Sequence, residues 1–257
     1  MSNLIKQFTV DKLDIRIYES RRLSGQDAAK DIASKINGLL SKKRLIRIVF
    51  AAAPSQDDVL RALSSRRDIP WDRIIAFHMD EYLGIMNGAR ESFRHYLEQH
   101  IFSKVSLSKV YFINSKPADP KVECARYASL ISKNMIDIII LGIGENGHIA
   151  FNDPHEADFE DPEIVKVVRL DQACRQQQVN DACFPNLRSV PRQAITLTIP
   201  ALMSGRYLFC VVPGPTKALA VSRTLKEPVS ADCPATILRR HDNIIMYLDL
   251  QSAQEIL

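Results

Sequence analysis

Residues 136–154, with the sequence IDIIILGIGENGHIAFNDP, decide the fold of this chain of 257 residues. The run 138–141 contains no polar residue, which is typical of a strand that is buried on both faces. Glycines interrupt the chain directly after this run, and His148 and Asp153 follow them. Open α/β sheets build ligand sites where a buried strand ends in such a turn and ionisable side chains come next.

Apolar runs alternate with helical patterns on both sides of this stretch. We expect strands at residues 45–52, 74–79, 110–113, 136–141, 165–170, 194–199, 207–212 and 244–248. We expect helices at residues 57–63, 92–102, 119–134 and 216–225, with Ser55 as the N-cap of the first. This alternation predicts one α/β domain over residues 1–257. Its architecture would be a three-layer α/β/α sandwich around a mainly parallel, Rossmann-like sheet.

Composition excludes several classes of protein. The 34 basic and 30 acidic residues give a net charge of +4, too balanced to indicate a nucleic-acid partner. No run approaches the roughly 18 apolar residues of a membrane span, and the first residues lack a signal-peptide core. The 5 cysteines form no C-x-x-C pair, which favours reduced thiols in a cytoplasmic protein.

Side chains suited to chemistry follow four of the predicted strands. Ser55 and Gln56 follow the strand at 45–52, and Asp80 and Glu81 follow the strand at 74–79. The glycine turn follows the third strand, and the segment 213–217 follows the fourth. Because ligands bind outside the carboxyl ends of parallel strands, we expect these four loops to converge.

Two interpretations of Asp80 and Glu81 stand side by side: both belong to the site, with Glu81 in contact with the substrate, or both are structural. A carboxylate at a strand exit is suited to act as a general base, because partial burial raises its pKa toward the working range. The structural alternative is that Asp80 caps a turn or a helix.

The glycine turn matches G-x-G-x-x-G, but it lies in the middle of the chain and an Asn-Asp-Pro sequence soon interrupts any helix. We therefore expect no NAD site. Gly144 and Gly147 let the backbone approach a ligand, and Asp153 would hold one tautomer of His148.

A metal site is the competing interpretation, but no pair has the H-x-x-x-H spacing of a zincin, so we expect no metal. Its candidate ligands would be His78, Asp80, His148, Asp153 and His155.

Anion binding is predicted at two loops. Lys217 stands where a helix begins after a Pro-Gly-Pro sequence, and a lysine at a helix N-terminus favours a phosphate. Ser55 and the following amides offer a second set of donors. Arg175 lies in an unusual polar run, CRQQQ, and either clamps a phosphate or is a solvated surface residue.

These motifs together resemble the glucosamine-6-phosphate deaminase (isomerase) family, whose relatives include 6-phosphogluconolactonases. The resemblance extends from about residue 45 to the end. Lactonases share a GxGxDGH turn but typically continue toward A-S-L-F-P, whereas this chain continues IAFNDP. The matching pieces are FHMDEY at 77–82, GIGENGHIAFNDP at 142–154, AITLTIP at 194–200 and KALA at 217–220.

The resemblance implies an enzyme that converts glucosamine 6-phosphate and water into fructose 6-phosphate and ammonia. Asp80 matches the family's proton-abstracting base, and His148 matches the acid that opens the sugar ring. Asp153 matches the acid that supports the histidine, and Lys217 matches a phosphate ligand. The partner would be a phosphorylated amino sugar, and the route requires neither a metal nor a redox cofactor.

The chain also departs from the family pattern. The loop at residues 52–56 has no glycine, where the family usually has a glycine-rich phosphate loop. Asn146 and Asp153 stand where some members carry Asp and Glu. The family's phosphate-binding arginine has no ungapped match, and Arg175 is the best candidate. These departures predict a divergent subgroup. The alternatives to a deaminase are a sugar-phosphate lactonase and, because of the altered phosphate loop, a non-catalytic sugar-phosphate sensor. The resemblance implies either a monomer or a homo-oligomer, since both occur in the family.

Overall fold

The computed structural model describes residues 4–257. The strands are β1 (Leu4–Val10), β2 (Leu13–Tyr18), β3 (Ile46–Phe50), β4 (Ile74–His78), β5 (Asp80–Tyr82), β6 (Lys109–Tyr111), β7 (Ile138–Leu141), β8 (Val165–Arg169), β9 (Gln193–Leu197), β10 (Tyr207–Val212) and β11 (Ile244–Asp249). The α-helices are α1 (Arg21–Leu40), α2 (Asp57–Ser64), α3 (Phe93–Leu97), α4 (Pro120–Ser132), α5 (Gln172–Asn180), α6 (Ile199–Met203) and α7 (Ala218–Lys226). Helix α3 continues as a π-helical segment, Glu98–Phe102.

Eight strands form the central sheet in the order β1-β2-β11-β10-β7-β3-β4-β6. All neighbouring pairs are parallel except β1 and β2, which form an antiparallel hairpin at one edge. A second, antiparallel sheet has the order β5-β9-β8. The predicted α/β class with a mainly parallel sheet is confirmed.

Strand β7 shows why helices cover both faces of the sheet. Ile138 and Ile140 belong to the core that includes α1 and α2, whereas Ile139 and Leu141 belong to the core that includes α4 and α7. Successive side chains of a strand point to opposite faces, so an unbroken apolar run needs an apolar layer on each side. Each of these fully buried side chains contributes about 1.5–3 kcal/mol of transfer free energy.

The chain reverses its direction of winding between two neighbouring strands, β3 and β7. From β3 it proceeds outward to β4 and β6, and from β7 it proceeds the other way to β10 and β11. The connections that leave these two strands therefore diverge, and a crevice opens between them at the carboxyl edge of the sheet.

Several elements differ from the expectations. The apolar patterns do not predict β1, α1 or α5, because the exposed face of β1 and the small or polar residues of α1 and α5 carry no strong periodicity. The expected strands also omit β2, although its sequence LDIRIY alternates apolar and polar residues. Ser55 is not the N-cap of α2: residues Pro54–Gln56 form a 3₁₀ turn, and α2 begins at Asp57 without a side-chain cap. Within residues 4–257, no helix is long and apolar enough to cross a membrane.

Candidate active site

A cleft of about 1040 Å³ opens at the carboxyl ends of β3, β4, β7 and β10. The structure brings the four predicted loops together around it. Helix α5 and the residues that follow it form another wall. The residues that sequence analysis singled out and that line the cleft are Ser55, Gln56, Asp80, Gly144, His148 and Lys217.

Asp80 lies where the chain passes from the central sheet into the antiparallel sheet. It is the first residue of β5, and it pairs there with Thr196 of β9. The side chain is buried, and no hydrogen bond or ion pair of its carboxylate is found within residues 4–257. Burial raises the pKa of Asp80 well above its ordinary value, and the nearby charge of Glu81 raises it further. A carboxylate with a raised pKa is a stronger base than an exposed aspartate.

Glu81 points away from the cleft and stabilises a helix. Its carboxylate accepts hydrogen bonds from the backbone N–H groups of Tyr82, Phe93 and Arg94, at 3.0, 3.1 and 2.9 Å. Burial raises the pKa of Glu81 to about 7, although these hydrogen bonds lower it in part. Two of the donors open α3, so the side chain supplies acceptors that the helix start lacks. The predicted contact of Glu81 with substrate is therefore not supported.

His148 and Asp153 form the second ionisable group of the site. Nδ1 of His148 lies 2.9 Å from Oδ1 of Asp153. Burial alone would raise the pKa of Asp153, but the interactions with His148 outweigh it and the pKa is lowered. The ionised carboxylate favours a proton on Nδ1, which leaves Nε2 available to the cleft.

Asn146 holds both members of this pair. Its Nδ2 donates to Oδ1 of Asp153 at 2.9 Å, and its Oδ1 accepts from the backbone N–H of His148 at 3.0 Å. Asn146 does not line the cleft, so it acts on the site through these two neighbours. An amide can make both contacts at once, because it carries a donor and an acceptor.

Two glycines give the turn its shape. A β-carbon at Gly144 would lie 2.2 Å from Cε1 of His148, so only glycine leaves room for the ring. Gly147 has a φ of 86°, in the left-handed region that favours glycine, and a β-carbon there would lie 2.5 Å from Sγ of Cys233. The turn therefore requires glycine for steric reasons, whatever ligand it meets.

Lys217 provides a buried positive charge at another side of the cleft. It ends the 3₁₀ turn Pro215–Lys217, which leads directly into α7. Its side chain is buried, and within residues 4–257 its ammonium has no hydrogen bond or ion pair. Burial lowers the pKa of Lys217. An ammonium that is desolvated without a partner is stabilised by an anionic ligand.

The loop at residues 52–56 lacks the glycines that are usual in the family, and in it hydrogen bonds hold the side-chain amide of Gln56 in one position. Its Nε2 donates to Oγ of Ser55 and to the carbonyl of Val211, each at 3.1 Å. Its Oε1 is buried and has no partner. These bonds tie the loop after β3 to the end of β10 and hold Ser55 at the cleft.

The structure does not bring Arg175 to the cleft. Its guanidinium donates to the carbonyls of Leu187 and Val190 and lines a separate, shallower depression. The predicted phosphate clamp at Arg175 is therefore not supported, and the residue instead holds the segment after α5.

The five residues of the competing metal set are not gathered at one point. Nε2 of His78 accepts the backbone N–H of Ile113 at 2.9 Å, and burial lowers the pKa of His78 to about 3. His155 is partly exposed and its Nε2 lies 2.9 Å from the carbonyl of Arg169.

Helix α5 contributes cleft residues that do not follow any of the predicted strands and were therefore not predicted. Gln177 accepts the backbone N–H of Glu145 at 3.1 Å, and Oε1 of Gln178 accepts the hydroxyl of Tyr82 at 2.6 Å. The available signal was the helical spacing of Cys174, Gln177 and Gln178, which places a polar face toward the core. Further residues found at the cleft are Arg21, Arg90, Tyr96, His100 and Cys183.

Comparison with known proteins identifies the family of this chain. The profile of the family described as glucosamine-6-phosphate isomerases/6-phosphogluconolactonase matches residues 19–246. The chain belongs to this family. A glucosamine-6-phosphate deaminase of Listeria monocytogenes serotype 4a is 30% identical over 237 residues, which cover 92% of this chain and 97% of the relative. One from Geobacillus sp. is 39% identical over 175 residues, 67% of this chain and 68% of the relative.

Solved structures of family members share the fold. A monomeric glucosamine-6-phosphate deaminase superimposes with a TM-score of 0.86 at 28% identity, covering 94% of this chain and 99% of the other. A 6-phosphogluconolactonase from Thermotoga maritima superimposes with a TM-score of 0.75 at 21% identity, covering 93% and 100%. The likeness to the lactonase concerns the fold alone.

Proposed function

We propose that this family member is a glucosamine-6-phosphate deaminase, which converts glucosamine 6-phosphate and water into fructose 6-phosphate and ammonia. The observation that carries the proposal is one cleft that holds a buried base, Asp80, a histidine–carboxylate pair, His148 and Asp153, and an unpartnered ammonium, Lys217. Named deaminases among the relatives support the same reaction.

Ring opening is the first step, and we assign it to His148. The imidazole gives a proton to the ring oxygen as the bond between C1 and that oxygen breaks. The ring gives this proton from Nε2 as an imidazolium, and Asp153 stabilises that charged form because its carboxylate lies 2.9 Å from Nδ1. Hydrogen bonds from Asn146 to the carboxylate of Asp153 and to the backbone of His148 hold these two residues in position relative to each other.

Proton transfer between C2 and C1 is assigned to Asp80. The carboxylate removes the proton from C2 of the open-chain aldose as a proton passes from the amino group to O1. C1 then receives a proton, which gives a 2-imino sugar. Water adds to the imine carbon, and ammonia leaves as the ketose forms. The burial that raises the pKa of Asp80 makes its carboxylate a stronger base toward carbon than an exposed aspartate.

Phosphate binding is assigned to Lys217, with Ser55 as a second donor. The ammonium is already desolvated, so binding a phosphate restores its charge pairing and costs little further desolvation. The loop at residues 53–56 holds a hydroxyl and a fixed amide at the same cleft and takes the place of a glycine-rich loop.

The direct test is release of ammonia and fructose 6-phosphate from glucosamine 6-phosphate by purified protein, with 6-phosphogluconolactone as a parallel substrate. Equal amounts of ammonia and ketose would support the deaminase. Acid release from the lactone alone would replace it with a lactonase. Thermal stabilisation by sugar phosphates without turnover would replace it with a sensor.

We also propose that the enzyme works in the cytoplasm, in the breakdown of amino sugars. The described cysteines are all free, and four of them are buried, as suits a reducing compartment.

A further inference from the structure

Three metal-binding side chains meet directly behind the candidate catalytic histidine. Helix α5 brings Cys174 to the pair formed by His148 and Asp153, and the ligand atoms of the three residues lie within 4.8 Å of one another. All three side chains are buried. Among residues 4–257, this is the one group of three histidine, cysteine or acidic side chains that are close enough to hold an ion.

The group contains polar atoms that the protein leaves without a partner. Oδ2 of Asp153 is buried and accepts no well-aligned hydrogen bond, and the thiol of Cys174 is the neighbouring group that interacts with this carboxylate. Nδ1 of His148 is close to Oδ1 of Asp153, but the contact is not aligned as a hydrogen bond. Buried polar atoms are nearly always satisfied, so two unsatisfied atoms at one point mark a place where a bound ligand would be stabilised.

The chemistry of these donors selects the ion. A thiolate, an imidazole and a carboxylate are the ligands that Zn²⁺ prefers, with bonds of about 2.0–2.3 Å. Ligand atoms on one tetrahedral ion are then about 3.3–3.8 Å apart, so side-chain adjustments alone close this group around an ion. A hard cation such as Mg²⁺ prefers oxygen ligands and an octahedral shell, which this group does not offer.

We propose that His148, Asp153 and Cys174 form an inhibitory Zn²⁺ site. The inhibition, though not the binding, rests on the deaminase function proposed above. The ion takes Nδ1 of His148 and one oxygen of Asp153. With Zn²⁺ on Nδ1 the ring stays neutral, so it cannot form the imidazolium that gives a proton to the sugar ring, and Asp153 no longer stabilises that positive charge.

Protons and charges balance on binding. The thiol of Cys174 releases its proton to solvent, Asp153 is already ionised and His148 binds as neutral imidazole. The thiolate and the carboxylate supply two negative charges, which neutralise the charge of Zn²⁺. Because a proton is released, binding should strengthen as the pH rises.

Cobalt provides a test that does not depend on activity. Co²⁺ occupies Zn²⁺ sites and shows a near-ultraviolet charge-transfer band when a thiolate is bound. We expect metal-free protein treated with EDTA to gain this band on addition of Co²⁺, and to lose it when Zn²⁺ is added. A protein that shows no such band, or one that Zn²⁺ does not remove, would overturn the proposal.

Two cysteine variants locate the site. Cys183 also lines the cleft but is not part of the group, so Cys183→Ser is the matched control. We expect Cys174→Ser to lose the cobalt band and Cys183→Ser to keep it. Cys174→Ala should behave as Cys174→Ser does, which guards against a folding defect in either variant. A band that survives in both Cys174 variants would overturn the assignment.

Inhibition is measured on each variant relative to its own activity in EDTA. We expect Zn²⁺ to inhibit the unaltered protein, Mg²⁺ to have no effect, and EDTA to restore activity. Loss of one ligand should raise the Zn²⁺ concentration for half-inhibition by about 10–100-fold or more in Cys174→Ser, and leave it unchanged in Cys183→Ser. Equal inhibition of both variants would overturn the site. Absence of deaminase activity in EDTA would contradict the proposed function instead, and the cobalt result would stand.

Discussion

The imidazole of His148 lies against the backbone of Gly144. A β-carbon at Gly144 would lie only 2.2–2.3 Å from three ring atoms, and the backbone N–H of Gly144 donates to the carbonyl of His148 at 2.8 Å. The turn is thus closed by a backbone hydrogen bond, and the ring folds back over it. The position of the proposed ring-opening acid depends on the absence of one methyl group.

We expect Gly144→Ala to displace the ring of His148 and to lower kcat/KM by about 100-fold or more, because small displacements of a catalytic group are costly. Steady-state kinetics and a melting curve would separate this effect from unfolding. Gly38→Ala is the matched control, since nothing lies within 4 Å of a β-carbon there. It should keep full activity. Near-normal kinetics in Gly144→Ala would remove His148 from the mechanism.

Asp80→Asn should lower kcat by at least about 100-fold with little change in KM, because a general base acts mainly on the transition state. The same change separates the candidate activities, since lactone hydrolysis does not need a base at C2. Exposed Asp72→Asn serves as the control. A variant at position 80 with near-normal turnover would contradict the role of Asp80.

The pH dependence of stability offers a second measurement on Asp80. The pKa of Asp80 in the folded state lies above its pKa in the unfolded state. At pH values between these two pKa values, the folded state binds a proton that the unfolded state has lost. The free energy of unfolding therefore falls as the pH rises through this range. Asp80→Asn lacks this loss. The free energy of unfolding of this variant should exceed that of the unaltered protein at pH about 8. The two proteins should be equally stable under acidic conditions, where Asp80 is protonated in both the folded and the unfolded state. Urea unfolding at both pH values tests this, and equal stability at high pH would contradict it.

Lys217→Ala should raise KM for the sugar phosphate while kcat changes little. A hydrogen bond to a charged group is worth about 1.5–3 kcal/mol, or roughly 10–100-fold in affinity. Exposed Lys42→Ala is the control for loss of one positive charge. Inhibition by inorganic phosphate should weaken in parallel. An unchanged KM together with unchanged phosphate inhibition would exclude Lys217 from phosphate binding.

Arg175→Ala should leave KM unchanged and lower the melting temperature. Two carbonyls, those of Leu187 and Val190, lose their donor, which costs about 1–3 kcal/mol when such groups stay buried. Kinetics and thermal unfolding of the same sample decide between the two interpretations. A large rise in KM without loss of stability would instead indicate that Arg175 binds the phosphate.

Local patterns predicted the elements with strong periodicity. The uninterrupted apolar runs identified β3, β4, β7 and β10, and the residues after them identified four cleft loops. The weakly periodic elements β1, α1 and α5 gave no such signal, since their burial comes from packing against neighbours that are distant in sequence. Strand β2 does alternate apolar and polar residues, so the sequence contained a signal there that the prediction missed. Glu81 shows the same limit. Its neighbour Asp80 faces the cleft, but its own partners, Phe93 and Arg94, lie in another element.

The sequence by itself determined the α/β class, the glycine turn and the identities of the ionisable groups, because these depend on residue type and on spacing along a few turns of chain. Only the tertiary structure decided which of these groups meet. It placed Lys217 in the cleft with Asp80 and His148, turned Arg175 away, and brought Cys174 to Asp153. The physical reason is that strand order and helix packing fix distances between residues far apart in the chain, and no local pattern encodes them.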